Sequence, residues 1–475
     1  MPEIFINGQS VQAAPKQTVL EAALANGYYI PYFCWHPKLS IAGNCRLCVV
    51  QVEGRNWVEI ACNMPVSEGL KVLTDSELVR AHRKATLQFI TLNHPVDCGI
   101  CDKAGECTLQ DYHFEHNGSP SISRDRKVHA TKFFDLSERI TLDNERCILC
   151  SRCVRFTREI SKSHALGIMD RGDHSLVRPA EDRPLDADPY SDNVVDICPV
   201  GALLSKKFLY KSRVWYLKPT PSVCPGCERG CNVNIWHRKP EWMLRSLDQK
   251  QNTSIARVTP LDNPKVNGPW ICNKGRDLAE VFERERAAEP MLKGRPAMLG
   301  DAIAAARALL AGAKRPAAVI SSWGSNEELD AARKAIPAGA ACFVKQDSLP
   351  ADGERISDDV LILPDKNPNG RRARELFGDA PAGFADGTDL VLVWGEGFDF
   401  AKIPAGAKIV FLNSWLAPEN GHADVFFATS VQTERDGHYT NFEGTVSGFQ
   451  ACFRKPAHVV DAQAVFEALA SGGDR

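Results

Sequence analysis

Fifteen of the 17 cysteines lie between Cys34 and Cys272, in four groups of nearly fixed spacing. Scattered at random over the chain, they would form roughly 0.6 Cys-x-x-Cys pairs, whereas five are present. Thiolates at this spacing bind zinc or iron-sulfur clusters. A disulfide framework is the alternative, but it belongs to small secreted chains. The start MPEIFING has neither a basic leader nor an apolar run, so we predict no signal peptide and expect reduced, metal-binding thiols.

The first group has the spacing C-x10-C-x2-C-x13-C and consists of Cys34, Cys45, Cys48 and Cys62. Three clustered thiolates with a remote fourth are typical of a [2Fe-2S] site. Plant-type ferredoxins have four residues between the first two cysteines, so the ten here indicate a variant loop. A four-thiolate zinc site is the alternative.

The second group contains three cysteines and one histidine, namely His94, Cys98, Cys101 and Cys107. Three thiolates need a fourth donor, and the imidazole of His94 can complete a [4Fe-4S] site. A neutral imidazole in place of a thiolate should raise the redox potential of the cluster, as histidine does in Rieske centres. The alternative is that His94 is an ordinary surface or core histidine.

The third group is Cys147, Cys150 and Cys153 with a distant Cys198-Pro199, the run found in bacterial ferredoxins. In a two-cluster ferredoxin the last cysteine serves the other cluster, but no second copy of the run is present here. We therefore predict that Cys198 completes the same [4Fe-4S] site. The intervening stretch at 178–192, rich in Pro, Asp and Arg, is predicted to be a solvated loop without chemistry.

The fourth group is Cys224, Cys227 and Cys231, followed after 40 residues by Cys272. Zinc could take four thiolates at this spacing. The uneven spacing and the remote cysteine before Asn-Lys-Gly favour another [4Fe-4S] site.

The elements that position these groups can be predicted from periodicity. Ile4 and Ile6 alternate before an Asn7-Gly8 turn, and a helical pattern follows at 18–27, which is the start of a β-grasp ferredoxin. An amphipathic helix is predicted at 78–92, directly before His94. After Pro296, helices at 301–313, 325–336 and 371–378 alternate with strands at 316–322, 341–344, 359–364, 389–395 and 408–413. This alternation predicts a parallel, doubly wound α/β sheet.

Composition limits the function classes. The 475 residues are 44% hydrophobic and 24% charged, with a net charge of −2 and an isoelectric point near 6.6. No basic surface for nucleic acid or anionic membranes is expected. No apolar stretch approaches the roughly 18 residues that cross a bilayer, so we expect membrane contact only through another protein.

The order of the four groups resembles that in the large iron-sulfur subunit of respiratory complex I, the family of NADH-quinone oxidoreductase G subunits, over essentially the whole chain. The resemblance implies one [2Fe-2S] cluster on the first group and three [4Fe-4S] clusters on the others, the last lying away from the main electron path. It implies partners that include an NADH-oxidising flavoprotein, its small [2Fe-2S] partner and hydrophilic subunits on the quinone side, with no nucleic acid and no membrane insertion. The implied location is peripheral, on the cytoplasmic face of the bacterial inner membrane.

The resemblance also implies a domain order. We expect a [2Fe-2S] β-grasp domain, a His-ligated [4Fe-4S] module, a ferredoxin-like [4Fe-4S] module, a molybdopterin-oxidoreductase-type [4Fe-4S] module and a truncated molybdopterin-oxidoreductase-like α/β domain, at residues 1–78, 79–118, 119–215, 216–285 and 286–475. The segment 422–448 is similar to one near the end of the molybdopterin fold. Only about 200 residues follow Cys272, so we predict no molybdopterin. No GxGxxG joins a strand to a helix, so we predict no flavin or NAD on this chain.

Two other functions remain open. The same N-terminal modules occur in NAD-linked formate dehydrogenases and in hydrogenases, so the chain could relay electrons there. The catalytic iron centre of an iron-only hydrogenase needs further cysteines, and only Cys342 and Cys452, predicted to be small buried residues, follow Cys272. A zinc-stabilised scaffold without redox function is the third possibility, which colourless, zinc-containing protein would favour.

Overall fold

The computed structural model describes residues 1–245, 249–345, 357–378 and 383–471. The chain divides into two compact units, Met1–Tyr216 and Leu217–Arg475. Within the described ranges, no helix is both long enough and apolar enough to span a bilayer.

The first unit opens with a five-stranded sheet and one helix. Its elements are β1 (Glu3–Ile6), β2 (Gln9–Gln12), α1 (Val19–Ala25), β3 (Val49–Val52), β4 (Val58–Ile60) and β5 (Lys71–Leu73). The strand order is β2-β1-β5-β3-β4, and β1 runs parallel to β5. Asn7 and Gly8 form the turn with positive φ angles of 52° and 81°, which favour Asn and Gly. The predicted strand, turn, strand and helix are confirmed.

Two helices follow and surround the second cysteine group. They are α2 (Glu77–Asn93) and α3 (Thr108–Tyr112), and α3 continues as a π-helical turn at His113–Asn117. Ser76 caps α2 by accepting a hydrogen bond from Val79 N. His94 is the residue at which α2 ends, so the predicted helix at 78–92 is confirmed.

The rest of the first unit holds the third group. Its elements are β6 (Lys132–Phe133), β7 (Ile140–Asp143), α4 (Arg152–Glu159), β8 (Leu166–Met169), β9 (Leu176–Pro179), α5 (Asn193–Ile197) and β10 (Leu203–Ser205). The strands form a β10-β7-β6 sheet and a β8-β9 hairpin.

The residues at 181–184 are exposed, as expected for the solvated loop predicted at 178–192, but the prediction is wrong from Asp188 onward. Asp188 is 2% exposed and Asp192 is 5% exposed, because each carboxylate has polar partners inside the fold. Asp188 accepts a hydrogen bond from Ser163 Oγ at 2.7 Å, and Asp192 pairs with Arg139 at 2.8 Å. Polar composition predicted exposure, but satisfied hydrogen bonds allow burial.

The second unit begins with a three-stranded antiparallel sheet that carries the fourth group. Its elements are β11 (Leu217–Val223), β12 (Asn232–Arg238), β13 (Arg257–Pro260), α6 (Asn273–Arg276) and α7 (Leu278–Phe282). The remaining elements are β14 (Met291–Leu292), β15 (Arg295–Pro296), α8 (Leu299–Gly312), β16 (Pro316–Ile320), α9 (Asn326–Ala335), β17 (Ala341–Val344), α10 (Gly370–Phe377), β18 (Leu390–Trp394), β19 (Lys408–Asn413), α11 (Glu419–His422), β20 (Val425–Ala428), β21 (Gly437–Thr440), β22 (Val446–Phe449) and α12 (Ala462–Ala470).

A seven-stranded sheet organises the second half of this unit. Five neighbouring strands are parallel in the order β17-β16-β18-β19-β20, and β14 and β15 extend the sheet antiparallel. The predicted parallel α/β sheet is therefore present. The helices α8, α9, α10 and α12 pack on one face, where Ile320 and Leu392 are buried. Described connecting segments that include Phe384 and Phe400 contact the other face, so these four helices share one face and are not divided between two as predicted.

One predicted strand is absent. Residues 359–364, described here in full, form bends and irregular structure. The carboxylate of Asp358 accepts hydrogen bonds from the backbone N of Val360, Leu361 and Ile362 at 2.9 to 3.0 Å. Such local bonds compete with a strand ladder for the same donors, which is why the apolar run does not form a strand.

Candidate iron-sulfur cluster sites

The four cysteines of the first group lie together beside the N-terminal sheet. Cys34, Cys48 and Cys62 are buried and Cys45 is partly buried. Cys48 directly precedes β3, and Cys62 lies in the turn after β4. Hydrogen bonds from the thiols of Cys45 and Cys62 lower the pKa of Cys34, and the bonds to Cys34 and Cys48 raise the pKa of Cys62. The sulfurs are thus within reach of one small cluster.

The second group follows α2 along the chain, beginning at His94, the residue at which the helix ends. Burial lowers the pKa of His94 to about 4, so the imidazole is neutral at pH 7, as a metal ligand must be. Its Nδ1 is buried and has no hydrogen-bond partner within the described ranges, a costly state that a metal ion would relieve. Burial also raises the pKa of Cys107 to about 11. Cys98 is exposed, whereas Cys101 is buried.

All four cysteines of the third group line one cavity, namely Cys147, Cys150, Cys153 and Cys198. Cys153 lies in the first turn of α4, and Cys198 lies at the end of α5. Burial raises the pKa of Cys147 to about 12 and that of Cys150 to about 11. Buried thiols of this kind become thiolates only when a cation such as iron offsets their charge.

The fourth group lies at one end of the antiparallel sheet in the second unit. Cys224 follows β11 and Cys231 precedes β12, and Cys224 N donates to Cys231 O at 2.8 Å. Cys272 is the residue directly before α6. A Cβ at Gly275 would lie 3.4 Å from Cys224 Sγ and 3.9 Å from Cys272 Sγ, so the remote cysteine lies close to Cys224. Besides burial, the charges of Cys224, Cys227 and Cys272 raise the pKa of Cys231, so the four thiols lie near one another.

Thiolate and imidazole donors can hold a zinc ion or an iron-sulfur cluster, and the two differ in the spacing of their ligands. In the described part of the chain, no group of three or more His, Cys, Asp or Glu side chains could hold one metal ion. A zinc ion needs four donors about 2.0 to 2.3 Å from one point. An iron-sulfur cluster spreads its iron atoms over a larger volume, so its ligands stand further apart.

The first and third groups are joined by α4. Two arginines of this helix reach across to the first group. Arg155 donates from Nη2 to the carbonyl oxygens of Cys34 and Cys150. Arg152 donates to Trp35 O at 2.7 Å and to Ile197 O at 3.1 Å.

The second and third groups also touch. Thr108 N, next to Cys107, donates to Pro199 O, next to Cys198, at 3.1 Å. A Cβ on Gly201 would lie only 2.1 Å from Cys101 Sγ. Sequence reasoning missed Gly201, Arg152 and Arg155, although the Arg-x-x-Arg spacing around Cys153 was visible.

A cavity of about 370 Å³ lies at the carboxyl ends of the parallel strands in the second unit. Residues that follow those strands line it, including Ser321, Gly395, Ser414 and Thr429. Parallel sheets commonly bind ligands at this edge. Cys342 and Cys452, predicted to be buried, are only partly buried.

Family models match four successive stretches of the chain. Residues 2–77 match a 2Fe-2S iron-sulfur cluster binding domain, and residues 83–119 match the NADH-ubiquinone oxidoreductase-G iron-sulfur binding region. Residues 137–204 match the ferredoxin-like domain of NADH-quinone oxidoreductase subunit 3, and residues 217–284 match the molybdopterin oxidoreductase Fe4S4 domain.

Known proteins are similar over part of the chain. The G subunit of the NADH-quinone oxidoreductase from Rickettsia typhi is 35% identical over 294 residues, which are 62% of this chain and 41% of the relative. The mitochondrial NADH dehydrogenase [ubiquinone] iron-sulfur protein 1 of Solanum tuberosum is 37% identical over 292 residues, 62% of this chain and 38% of the relative. An NAD+-reducing [NiFe]-hydrogenase crystal structure is 33% identical, with a TM-score of 0.41, covering 45% of this chain and 91% of that one.

The chain spans about two fifths of the length of these curated relatives. Its successive stretches match models of a [2Fe-2S] domain, of [4Fe-4S] regions and of a molybdopterin-oxidoreductase Fe4S4 domain, and over some 290 residues it is similar to the G subunits of NADH-quinone oxidoreductases.

Proposed function

We propose that the chain is an electron-transfer subunit of an NADH-quinone oxidoreductase of the complex I type. It accepts electrons from a partner flavoprotein that oxidises NADH, and delivers them toward quinone through further subunits. It is peripheral, on the cytoplasmic face of the bacterial inner membrane, and held there by those partners.

The proposed ligands follow the four groups. A [2Fe-2S] cluster is held by Cys34, Cys45, Cys48 and Cys62. Three [4Fe-4S] clusters are held by His94, Cys98, Cys101 and Cys107, by Cys147, Cys150, Cys153 and Cys198, and by Cys224, Cys227, Cys231 and Cys272. No molybdopterin, flavin or NAD is proposed. The five domains proposed are those with the bounds 1–78, 79–118, 119–215, 216–285 and 286–475.

The observation that carries this proposal is the continuity of three ligand groups within one compact unit. The segments of the third group hydrogen bond to those of the first through Arg155 and to those of the second through Thr108. Bound iron-sulfur clusters supply one-electron transfer. The protein holds the clusters at fixed separations. Burial of the cysteines keeps water away from the clusters, and nearby charges and hydrogen bonds set their redox potentials.

The proposal is tested with Cys150→Ser in the assembled complex. Electron transfer from NADH to quinone should fall at least tenfold, whereas reduction of an artificial acceptor by the flavoprotein should stay within about twofold. Cys342→Ser is the matched control, because Cys342 lies outside the four groups in β17, and it should change neither rate.

Equal loss of both activities in Cys150→Ser would contradict the assigned relay, provided that the partner subunits still copurify. Copurification of a formate- or hydrogen-oxidising subunit instead of an NADH-oxidising flavoprotein would indicate that the chain transfers electrons in a different complex.

A further inference from the structure

One face of α4 binds the loop of the first ligand group. Arg152, Arg155 and Glu159 are spaced three and four residues apart, so they share a helix face. Each side chain has a partner in the segment from Trp35 to Ser40, or in Cys34 just before it. The helix is therefore hydrogen bonded to a single segment that begins at Cys34, a proposed ligand of the first group.

Arg155 is the centre of this contact. It is only 4% exposed. Its guanidinium donates to three carbonyl oxygens, those of Cys34, Ser40 and Cys150, and its Nε donates to Ser151 Oγ at 3.2 Å. Cys34 and Cys150 belong to the first and third groups, so one cation is bonded to the backbone of both.

Arg152 and Glu159 support the same contact from either side. Arg152 donates hydrogen bonds to the carbonyl oxygens of Trp35 and Ile197. Trp35 is next to Cys34 in the chain, and Ile197 is next to Cys198. Glu159 accepts from Ser40 N at 2.8 Å and from Ser40 Oγ at 2.6 Å. Asn44, next to Cys45, adds a bond from its Nδ2 to Leu149 O at 2.9 Å.

A buried cation in this position has an electrostatic consequence. Within the described residues, Arg155 has no carboxylate among its hydrogen-bond partners, so its charge is not cancelled by direct contact. Reduction adds negative charge to a cluster, and a nearby positive charge in a region of low dielectric stabilises that reduced state. The charge of Arg155 should therefore change the redox potentials of the clusters in the first and third groups, and change those of the other two clusters much less.

We propose that Arg155 is a positioning residue that fixes the first ligand group against the third and raises the redox potentials of the two clusters they hold. The inference rests on the proposed function, since it requires both groups to carry clusters. It assigns α4 two tasks, because the helix that contributes Cys153 to one site also orders the loop of the other.

The test uses the full chain, purified without oxygen and titrated potentiometrically while EPR signals are recorded. Arg155→Met removes the charge and keeps an apolar stem. The potentials of the [2Fe-2S] cluster and of the third group's cluster should both shift downward, with the other two clusters unchanged. Arg155→Lys keeps the charge but not the planar fork, so it should restore most of the shift.

The positioning role has a separate readout. Hydrogen exchange of the backbone amides from Cys34 to Ser40 should speed up in both variants, because lysine cannot bond all three carbonyls. Arg171→Met is the control, since it also removes an arginine charge but lies outside α4 in an exposed position, and it should leave both potentials and exchange rates as in the wild type.

Several results would overturn the inference. They are unchanged potentials in Arg155→Met, an equal shift of all four clusters, or an Arg155→Lys shift as large as that of Arg155→Met. If the Arg155→Met protein loses the first or third cluster, the Arg155→Lys variant provides the test. The inference is supported if Arg155→Lys retains both clusters at near-wild-type potentials. It is overturned if Arg155→Lys loses either cluster. Intact EPR signals with unmoved potentials would reject the role of Arg155 while leaving the proposed function standing.

Discussion

His94, the proposed histidine ligand of the second cluster, shows how the fold sets the charge state of one residue. It terminates α2, its imidazole is largely buried and neutral, and its Nδ1 has no partner in the described part of the chain. The sequence predicted the ligand from the neighbouring cysteines. The burial that keeps the ring uncharged came only from the structure, because it depends on packing against distant segments.

The first prediction concerns the charge of this ligand. His94→Cys should keep a four-iron cluster but lower its potential by on the order of 100 mV, because a thiolate adds negative charge. The measurement is an EPR redox titration of the second cluster. His129→Cys is the control, since the His129 side chain is 83% exposed; an unchanged potential in His94→Cys would argue that His94 is not a ligand.

The second prediction concerns Gly201. Gly201→Ala should displace Cys101, because the new Cβ would lie 2.1 Å from Cys101 Sγ. We expect loss of the second cluster's EPR signal and of its share of the iron. Gly99→Ala is the control, as a Cβ there meets no described atom within 4 Å. Full iron content with an unaltered signal in Gly201→Ala would refute the steric argument.

At the scale of elements, α9 shows which local signals determine structure. Ser325 and Glu328 form the predicted capping box, and Ser325 Oγ accepts a hydrogen bond from Glu328 N at 3.1 Å. Glu328 is also 2% exposed and paired with Arg435 at 2.9 Å. The cap was predictable from four residues of sequence, whereas the long-range ion pair was not, because Arg435 lies 107 residues away.

The third prediction compares two arginines that pair with acidic residues of α9. Arg435→Met leaves the carboxylate of Glu328 buried without its cation, so it should cost about 3 to 5 kcal/mol of the unfolding free energy. Arg372→Met breaks a pair with Asp330 whose side chains are 31% and 46% exposed, and it should cost less than about 1 kcal/mol. Hydrogen exchange of the β16 and β18 amides measures both values, and similar costs for the two variants would contradict the buried pair.

At the scale of the whole molecule, sequence patterns predicted the elements that depend on local signals. The Asn7-Gly8 turn, the helix that ends at His94 and the strands at 390–394 and 408–413 are all present. Two patterns failed where tertiary or local hydrogen bonds overrode composition, namely the buried acidic stretch around Asp188 and the turn made by Asp358. The contacts between ligand groups could not be predicted, because the spacing within each group does not indicate which groups lie next to one another.

The central claim is that the four donor sets hold inorganic iron and sulfide. The most direct measurement is low-temperature EPR of the reduced, anaerobically purified chain, with iron and acid-labile sulfide counted on the same sample. The account predicts one binuclear and three tetranuclear signals with matching iron and sulfide content. Colourless protein that contains zinc and no labile sulfide would contradict it.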